Sequence, residues 1–309
     1  MIIVLGSVNM DRMIYVDHFP RIGETSVANY EIMHSGGKGA NQAICARKCG
    51  SEVYFFGAVG QDKAGNTLLE NFQTYGIDVS GINVITSKLS GVAYVTVSSS
   101  AENTILYVPG ANLEAKASQV SDYFLTEQTT VLLQMEINPT ENWKIIHRAK
   151  ERGARIILNA APVTHVPEDI ISALDVLVMN TTEALMLADS LGIQSREFEQ
   201  IARVISSKYN NTCIITLGKD GVLAVTQDDY INLPSIDVTA VDTTSAGDAL
   251  IGTFASYYDQ GYPFKTCLMA GNIAGGLTTT RCGAQESLPT SEEIKTVLKA
   301  YSEQKDLCY

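Results

Sequence analysis

Residues 131–158 read VLLQMEINPTENWKIIHRAKERGARIIL. Two short apolar runs, VLLQM (131–135) and RIIL (155–158), flank an amphipathic stretch, NWKIIHRAKERG (142–153). The runs have the length and β-branched content of buried strands, while the middle stretch follows a helical pattern. The same alternation extends outward. IIVL (2–5), VYFFGAV (53–59), VLVM (176–179) and CIITL (213–217) read as further strands. KGANQAICARKCG (38–50) and AGNTLLENFQTYG (64–76) lie between them as amphipathic segments. Strands alternating with helices predict an α/β fold, with a mainly parallel sheet covered on both faces. Past Gly221, GVLAVT and DYINLPS read as an antiparallel pair at the sheet edge. Helices are expected at about 246–260, 263–280 and 291–302. Two segments break the rhythm: residues 13–33 and 91–108 are strand-like, the second with a turn near Ala101–Asn103. Each reads either as an antiparallel edge hairpin or as a small β lid over a site.

Composition narrows the possibilities. The 309 residues are 45% hydrophobic and 18% charged, enough for one large α/β domain or two ordinary ones. The net charge of -12 repels nucleic acid and anionic membrane on average, so neither is expected as a partner. A local pocket for a small phosphorylated ligand remains compatible with it. The six cysteines form no CxxC pair, and Cys45 and Cys49 have the spacing of one helix face. They read as buried reduced thiols, which fits a reducing compartment. MIIVLGSVNMD at the N-terminus has no basic n-region and reads as a strand, not a signal peptide. No apolar run approaches membrane-spanning length, so a soluble cytoplasmic protein is expected.

Polar residues recur directly after the apolar runs. Asn9 and Asp11 follow IIVL, Glu136 follows VLLQM, Asn159 follows RIIL, and Asn180 and Glu183 follow VLVM. Ligands on open α/β sheets bind outside the carboxyl ends of the strands, which makes this edge the candidate site. SGGKGANQA (35–43) opens a helix. It reads either as a tight turn or as backbone brought close to a ligand, with Lys38 and Asn41 as donors. There is no GxxxxGK[ST], no GxGxxG, no HExxH and no GxSxG. P-loop, dinucleotide-binding, zinc-protease and serine-hydrolase readings therefore lose their main support. The four histidines are scattered, and the Met and aromatic residues read most simply as core.

DTTSAGDALIGTF (242–254) places an acid, three hydroxyls and a glycine before an apolar helical run. Its polar residues can cap the helix by accepting from orphan N–H groups. Alternatively, small residues there expose those N–H groups to an anion, and Asp248 stands ready to take a proton.

Taken together, these motifs resemble the ribokinase-like carbohydrate kinases, the phosphofructokinase-B family. GSVNMD (6–11) looks like the family's sugar-contacting start, SGGKGANQA like its N-terminal signature and VDTTSAGDALIGTF (241–254) like its C-terminal one. VPGAN (108–112), NTTE (180–183) and GAQESLPT (283–290) are similar in place and content. The likeness spans nearly the whole chain. It implies one three-layer α/β/α domain over 1–309, with a discontinuous β lid from about 13–33 and 91–108.

The resemblance further implies an ATP-dependent kinase acting on the primary hydroxyl of a sugar. Asn9, Asp11, Gly37, Lys38, Asn41, Glu136 and Asp248 match the family's ribose residues, which favours a pentose. Ser245, Ala246, Gly247 and Asp248 would supply an amide anion hole, with Asp248 as general base. Asn180, Thr216, Gly218, Gly221, Gly247 and Asn272 would contribute to the nucleotide site. Glu183 would organise Mg²⁺ largely through water. A monovalent cation, K⁺, would take the side chains of Asp242 and Ser287 and the carbonyls of Thr244, Thr278 and Gly283. A homodimer through the lid is implied too. Ser35, Ser245, LNAAP (158–162) and Glu286 depart from the usual pattern, Glu286 replacing a common proline beside the cation loop. Deoxyribose, fructose or nucleoside kinases share the motifs, and a sugar or nucleotide sensor without turnover is the alternative from another class.

Overall fold

The structure, a computed structural model, describes residues 1–99, 102–163 and 165–306. Ala101, in the expected lid turn, and Cys308 lie outside the described residues. The first half carries β1 (Ile2–Leu5), β2 (Asn9–Val16), β3 (Tyr30–Gly36), α1 (Lys38–Lys48), β4 (Val53–Gly60) and α2 (Lys63–Thr74). It continues through β5 (Ile82–Ile85), β6 (Gly91–Ser98), β7 (Asn103–Val108), β8 (Thr130–Gln134) and α3 (Pro139–Glu151). Then follow β9 (Arg155–Asn159), α4 (Glu168–Ala173), β10 (Val176–Asn180), α5 (Thr181–Ser190), α6 (Phe198–Tyr209) and β11 (Thr212–Thr216). The chain finishes with β12 (Val222–Val225), β13 (Tyr230–Leu233), α7 (Ala246–Asp259), α8 (Phe264–Thr278) and α9 (Ser291–Asp306).

The 131–158 stretch is the unit on which the sheet is built. Asn138 caps α3 by accepting the Thr140 N–H at 3.1 Å, Pro139 starts the helix, and β8 and β9 pair in parallel from Thr130↔Arg155 to Gln134↔Asn159. Nine strands form the main sheet in the order β13-β12-β11-β10-β9-β8-β1-β4-β5. β4, β1, β8, β9, β10 and β11 run parallel, and β12 and β13 close one edge in antiparallel register, as expected. β5 escapes sequence reading because it has only four residues, two of them exposed, on the far edge.

Alternate side chains of the central strands enter two separate cores. Ile2, Val4, Ile157, Val176 and Val178 join the core formed with α1, α7 and α8. Ile3, Leu5, Ile156, Leu158, Leu177 and Met179 join the core formed with α3 and α6. Burial on both faces is why these strands read as continuous apolar runs and not as alternating ones. The result is the expected three-layer α/β/α arrangement. Cys45, Cys49, Cys213 and Cys267 are buried free thiols, whereas Cys282 is exposed. No described helix is long and apolar enough to cross a membrane.

A second sheet, β3-β2-β6-β7, stands beside the first. It begins earlier than the sequence suggests, because β2 starts at Asn9, where it pairs with Gly36 on one side and Gly91 on the other. Asn9 and Asp11 therefore belong to the small sheet itself. Tyr30, Ile32, Met33, Ile105, Leu106 and Val108 are exposed on it, so Tyr30 and Met33 are exceptions to the expectation that Met and aromatic residues are core.

Candidate active site

The parallel strands end together, and the polar residues expected to follow them converge. Beyond β8, the Glu136 Oε2 atom accepts the Ser7 hydroxyl at 2.6 Å and the Lys38 backbone N–H at 3.1 Å. This ties the turn after β1 and the start of α1 to one carboxylate. The chain enters α1 through Gly37 at φ +94, where a Cβ would sit 2.8 Å from the Asn9 nitrogen and the Val8 Cα. Only glycine fits both that angle and that approach. Asn112, fully buried, accepts the Val8 N–H at 2.9 Å and donates to the Asn9 Oδ1 at 2.7 Å, which orients Asn9.

Charges crowd this end of the sheet. Burial first, then the carboxylates of Glu136 and Asp248, raise the Asp11 pKa to about 7, against the pull of Lys38. For Lys38, burial works against its charge, but Asp248, Glu136, Glu183 and Asp11 outweigh it and raise its pKa above the ordinary value. Four acids, on β2, α5, α7 and the turn after β8, thus act on one ammonium.

The mouth of α7 adds the backbone amides. Its N-cap, Ser245, sits at φ +59 and makes no side-chain cap hydrogen bond. The capping reading of this stretch therefore does not describe Ser245. Ala246 N–H makes a long bond of 3.3 Å to the Thr243 carbonyl. Those of Ser245, Gly247 and Asp248 have no intramolecular acceptor among the described residues. A Cβ at Gly247 would meet nothing within 4 Å, so no neighbouring packing requires glycine there and the backbone faces open space. Asp248 is buried, its Oδ2 accepting from the Asn41 amide and its Oδ1 from the Gln42 amide, both at 2.9 Å. Asn41 also donates to the Ser245 hydroxyl at 3.1 Å and accepts from Gln285 at 3.0 Å, so its amide is engaged within the protein.

Two cavities meet at this point. The smaller, about 210 Å³, is lined by Lys38, Asn159, Asn180, Glu183 and Asp248, among others. The larger, about 570 Å³, is lined by Thr216, Gly218, Gly221, Ile236, Leu250 and Asn272, among others. Thr216, Thr243 and Gly247 line both. Residues expected at a nucleotide site thus fall in the larger cavity, except Asn180, which lines the smaller. Sequence reading missed the apolar wall of Ile236, Val238 and Leu250. Ile236 and Val238 lie in a segment without regular structure, where no periodicity flags them.

Asn180 and Glu183 form a reciprocal cap on α5: Asn180 N–H donates to Glu183 Oε2 and Glu183 N–H to Asn180 Oδ1, each at 2.8 Å. Burial, with a smaller push from Asp248, raises the Glu183 pKa against the Asn180 N–H and Lys38. Among the described residues no three His, Cys, Asp or Glu side chains group to hold a metal. One cavity-lining carboxylate fits Mg²⁺ that is held mainly by phosphate oxygens and water. Asp242 ties two loops, accepting the Thr244 N–H at 2.9 Å and the Gly283 N–H at 3.1 Å. The Thr244 and Gly283 carbonyls accept no hydrogen bond among the described residues, which suits oxygen ligation of a cation. Ser287 is buried and donates to Ala284, while Thr278 lies at the end of α8 and its carbonyl accepts a 3.3 Å bond from Arg281. Glu286 reaches the ring of His34 on β3, 3.5 Å away, with its Oε2 3.2 Å from where a Cβ on Gly283 would stand.

The site belongs to a carbohydrate kinase by family as well as by layout. Residues 1–291 match the model of the pfkB family carbohydrate kinases, and the chain belongs to that family. It is 33% identical over 300 residues to a ribokinase of Haemophilus influenzae, covering 96% of this chain and 97% of that protein. A deoxyribokinase of Salmonella typhi is 31% identical over 303 residues, covering 96% and 98%. Among solved structures, Arabidopsis thaliana ribokinase complexed with ribose and ATP superposes with a TM-score of 0.86 at 30% identity, covering 96% and 98%.

Proposed function

We propose that this chain is an ATP-dependent kinase that phosphorylates the primary, 5-hydroxyl of D-ribose, with Asp248 as general base. The observation that carries the reading is the mouth of α7. A clamped carboxylate stands beside amides that lack internal acceptors among the described residues, where two cavities join. ATP takes the larger cavity, its terminal phosphate toward the amides of Ser245, Gly247 and Asp248, and Ala246 N–H joins them by giving up its long bond. Ribose takes the space between Asn9, Asp11, Lys38, Glu136 and Asp248, above Gly37.

Phosphoryl transfer asks the protein for in-line positioning and stabilisation of charge. Asp248 accepts the proton of the 5-hydroxyl as that oxygen bonds to the γ-phosphorus. The bond from that phosphorus to the β,γ-bridging oxygen breaks, and ADP leaves with the electron pair. The α7 amides, at the positive end of the helix, hold the charge on the moving group. Mg²⁺, organised through Glu183 and water, neutralises phosphate charge when bound. K⁺ in the Asp242–Ser287 loops would steady the backbone that leads into Ser245. The lid carries Asn9 and Asp11, so closing it over ribose and expelling water are one motion. Buried free thiols support a cytoplasmic setting.

The likeness to a deoxyribokinase keeps 2-deoxyribose as the competing acceptor. The test is a coupled ADP assay with D-ribose, 2-deoxyribose, fructose and adenosine, each with and without potassium. D-ribose should give the highest kcat/KM. Preference for another acceptor by about tenfold or more replaces ribose in the assignment. Calorimetric ribose binding without ADP release would leave a sensor.

A further inference from the structure

We propose that Gln42 is a positioning residue for Asp248, turning its carboxylate so that one face is presented to the acceptor hydroxyl. This rests on the reading of Asp248 as the base. Gln42 is fully buried on α1, a position where an apolar side chain avoids the cost of burying an amide. Both donors and the oxygen of its side-chain amide are engaged, each in a fixed direction. Its Nε2 donates to Asp248 Oδ1 at 2.9 Å and to Asn159 Oδ1 at 3.1 Å. Its Oε1 accepts from Gln134 Nε2 at 2.7 Å.

The orientation of that amide is set by chemistry. Asn159 donates its own Nδ2 to the Val178 carbonyl, so its oxygen faces Gln42. Turning the Gln42 amide over would put its oxygen against the Asp248 carboxylate and the Asn159 oxygen, and its NH₂ against the Gln134 NH₂. The sheet, through Gln134 on β8 and Asn159 on β9, thereby fixes Gln42, and Gln42 fixes one oxygen of Asp248. Asn41 holds the other. With both oxygens tethered to α1, the plane of the carboxylate is set before any substrate arrives. Such preorganisation governs how often a reacting pair meets in line.

The test is a double-mutant cycle of Gln42→Met and Asp248→Asn, with kcat and KM for ribose and ATP measured per ribose-binding site counted by calorimetry. Met matches the length of Gln but cannot donate. Gln42→Met should lower kcat about tenfold or more while the KM for ribose moves less than about threefold. In the Asp248→Asn background the same exchange should change the rate less than about twofold, because the group it positions is gone. A Gln42→Met kcat within about twofold of wild type overturns the proposal, as does an equal loss in both backgrounds. Should Gln42→Met be insoluble, Gln42→Leu likewise removes the donor toward Asp248 without adding a charge, with the same expected outcomes. If Asp248→Asn alone keeps a tenth or more of the wild-type rate, the base assignment fails instead, a result distinct from a silent Gln42 exchange.

Discussion

Asp248 and Asp11 both act on the Lys38 ammonium, yet their surroundings differ: Asp248 lines the smaller cavity, whereas Asp11 lies on β2 beside other acids. Asp248 takes two amide donors, one on each oxygen, which fix the direction of its carboxyl group. Replacing it with Asn should lower kcat by about 10²–10⁴ while ribose binding by calorimetry stays near normal. Asp11 sits among other acids, and burial and repulsion raise its pKa from 3.8 to about 7. The folded state therefore prefers protonated Asp11. Its contribution to stability is complete below about pH 4, falls as pH climbs to about 7, and is flat above that. Asp11→Asn cannot ionise. Its unfolding free energy relative to wild type should therefore rise over that interval, by on the order of 4 kcal/mol at most, less where water reaches the carboxyl. Chemical denaturation of both proteins at pH 4.5, 6 and 8 measures it, and a constant difference would contradict the shifted Asp11. Ionised Asp11 is an acceptor only, so the KM for ribose should also fall as pH rises through about 7 in wild type.

At the scale of elements, two helix starts do different jobs with glycine. The entry to α1 needs Gly37 for packing: φ is +94 and a side chain would strike the β1–β2 backbone. The first turn of α7 has open space at Gly247. Gly37→Ala should destabilise the fold by about 1–3 kcal/mol or more, seen as a lowered Tm. Gly247→Ala should leave Tm unchanged within experimental error and raise the KM for ATP or lower kcat about tenfold or more, since the obstruction meets only a ligand. A Gly247→Ala protein with normal kinetics would remove the α7 amides from phosphate contact.

Across the whole molecule, the small sheet leaves Tyr30, Ile32 and Met33 exposed on one edge strand, β3, and Ile105, Leu106 and Val108 on the other, β7, and natural proteins cover such edges. Lid-to-lid pairing in a homodimer would cover these edges. Light scattering should give twice the 33.4 kDa chain mass, and Leu106→Lys should shift the species toward monomer. A wild-type monomer at assay concentration would refute lid pairing. Because Asn9 and Asp11 lie on β2, such a dimer would also bear on ribose affinity, and the Leu106→Lys protein should show a raised KM for ribose.

Much of this was legible without coordinates. VLLQM, RIIL and their relatives are apolar throughout because both faces of a parallel strand are buried, so the period and length of the runs already specify a covered α/β sheet. The acids and amides that follow them were legible as a candidate site, since chain direction alone carries every parallel strand's end to one edge. Other features depend on what folding brings side by side. Gln42 looks like any polar residue of an amphipathic helix until Gln134, Asn159 and Asp248 are seen around it. The four-residue β5, the start of the lid at Asn9 and the apolar wall of Ile236 and Val238 are set by neighbours distant in the chain. Local pattern determined the layers and the edge where chemistry gathers. Only tertiary contact decided which side chains hold which, because hydrogen-bond partners and burial are properties of pairs that sequence order does not list.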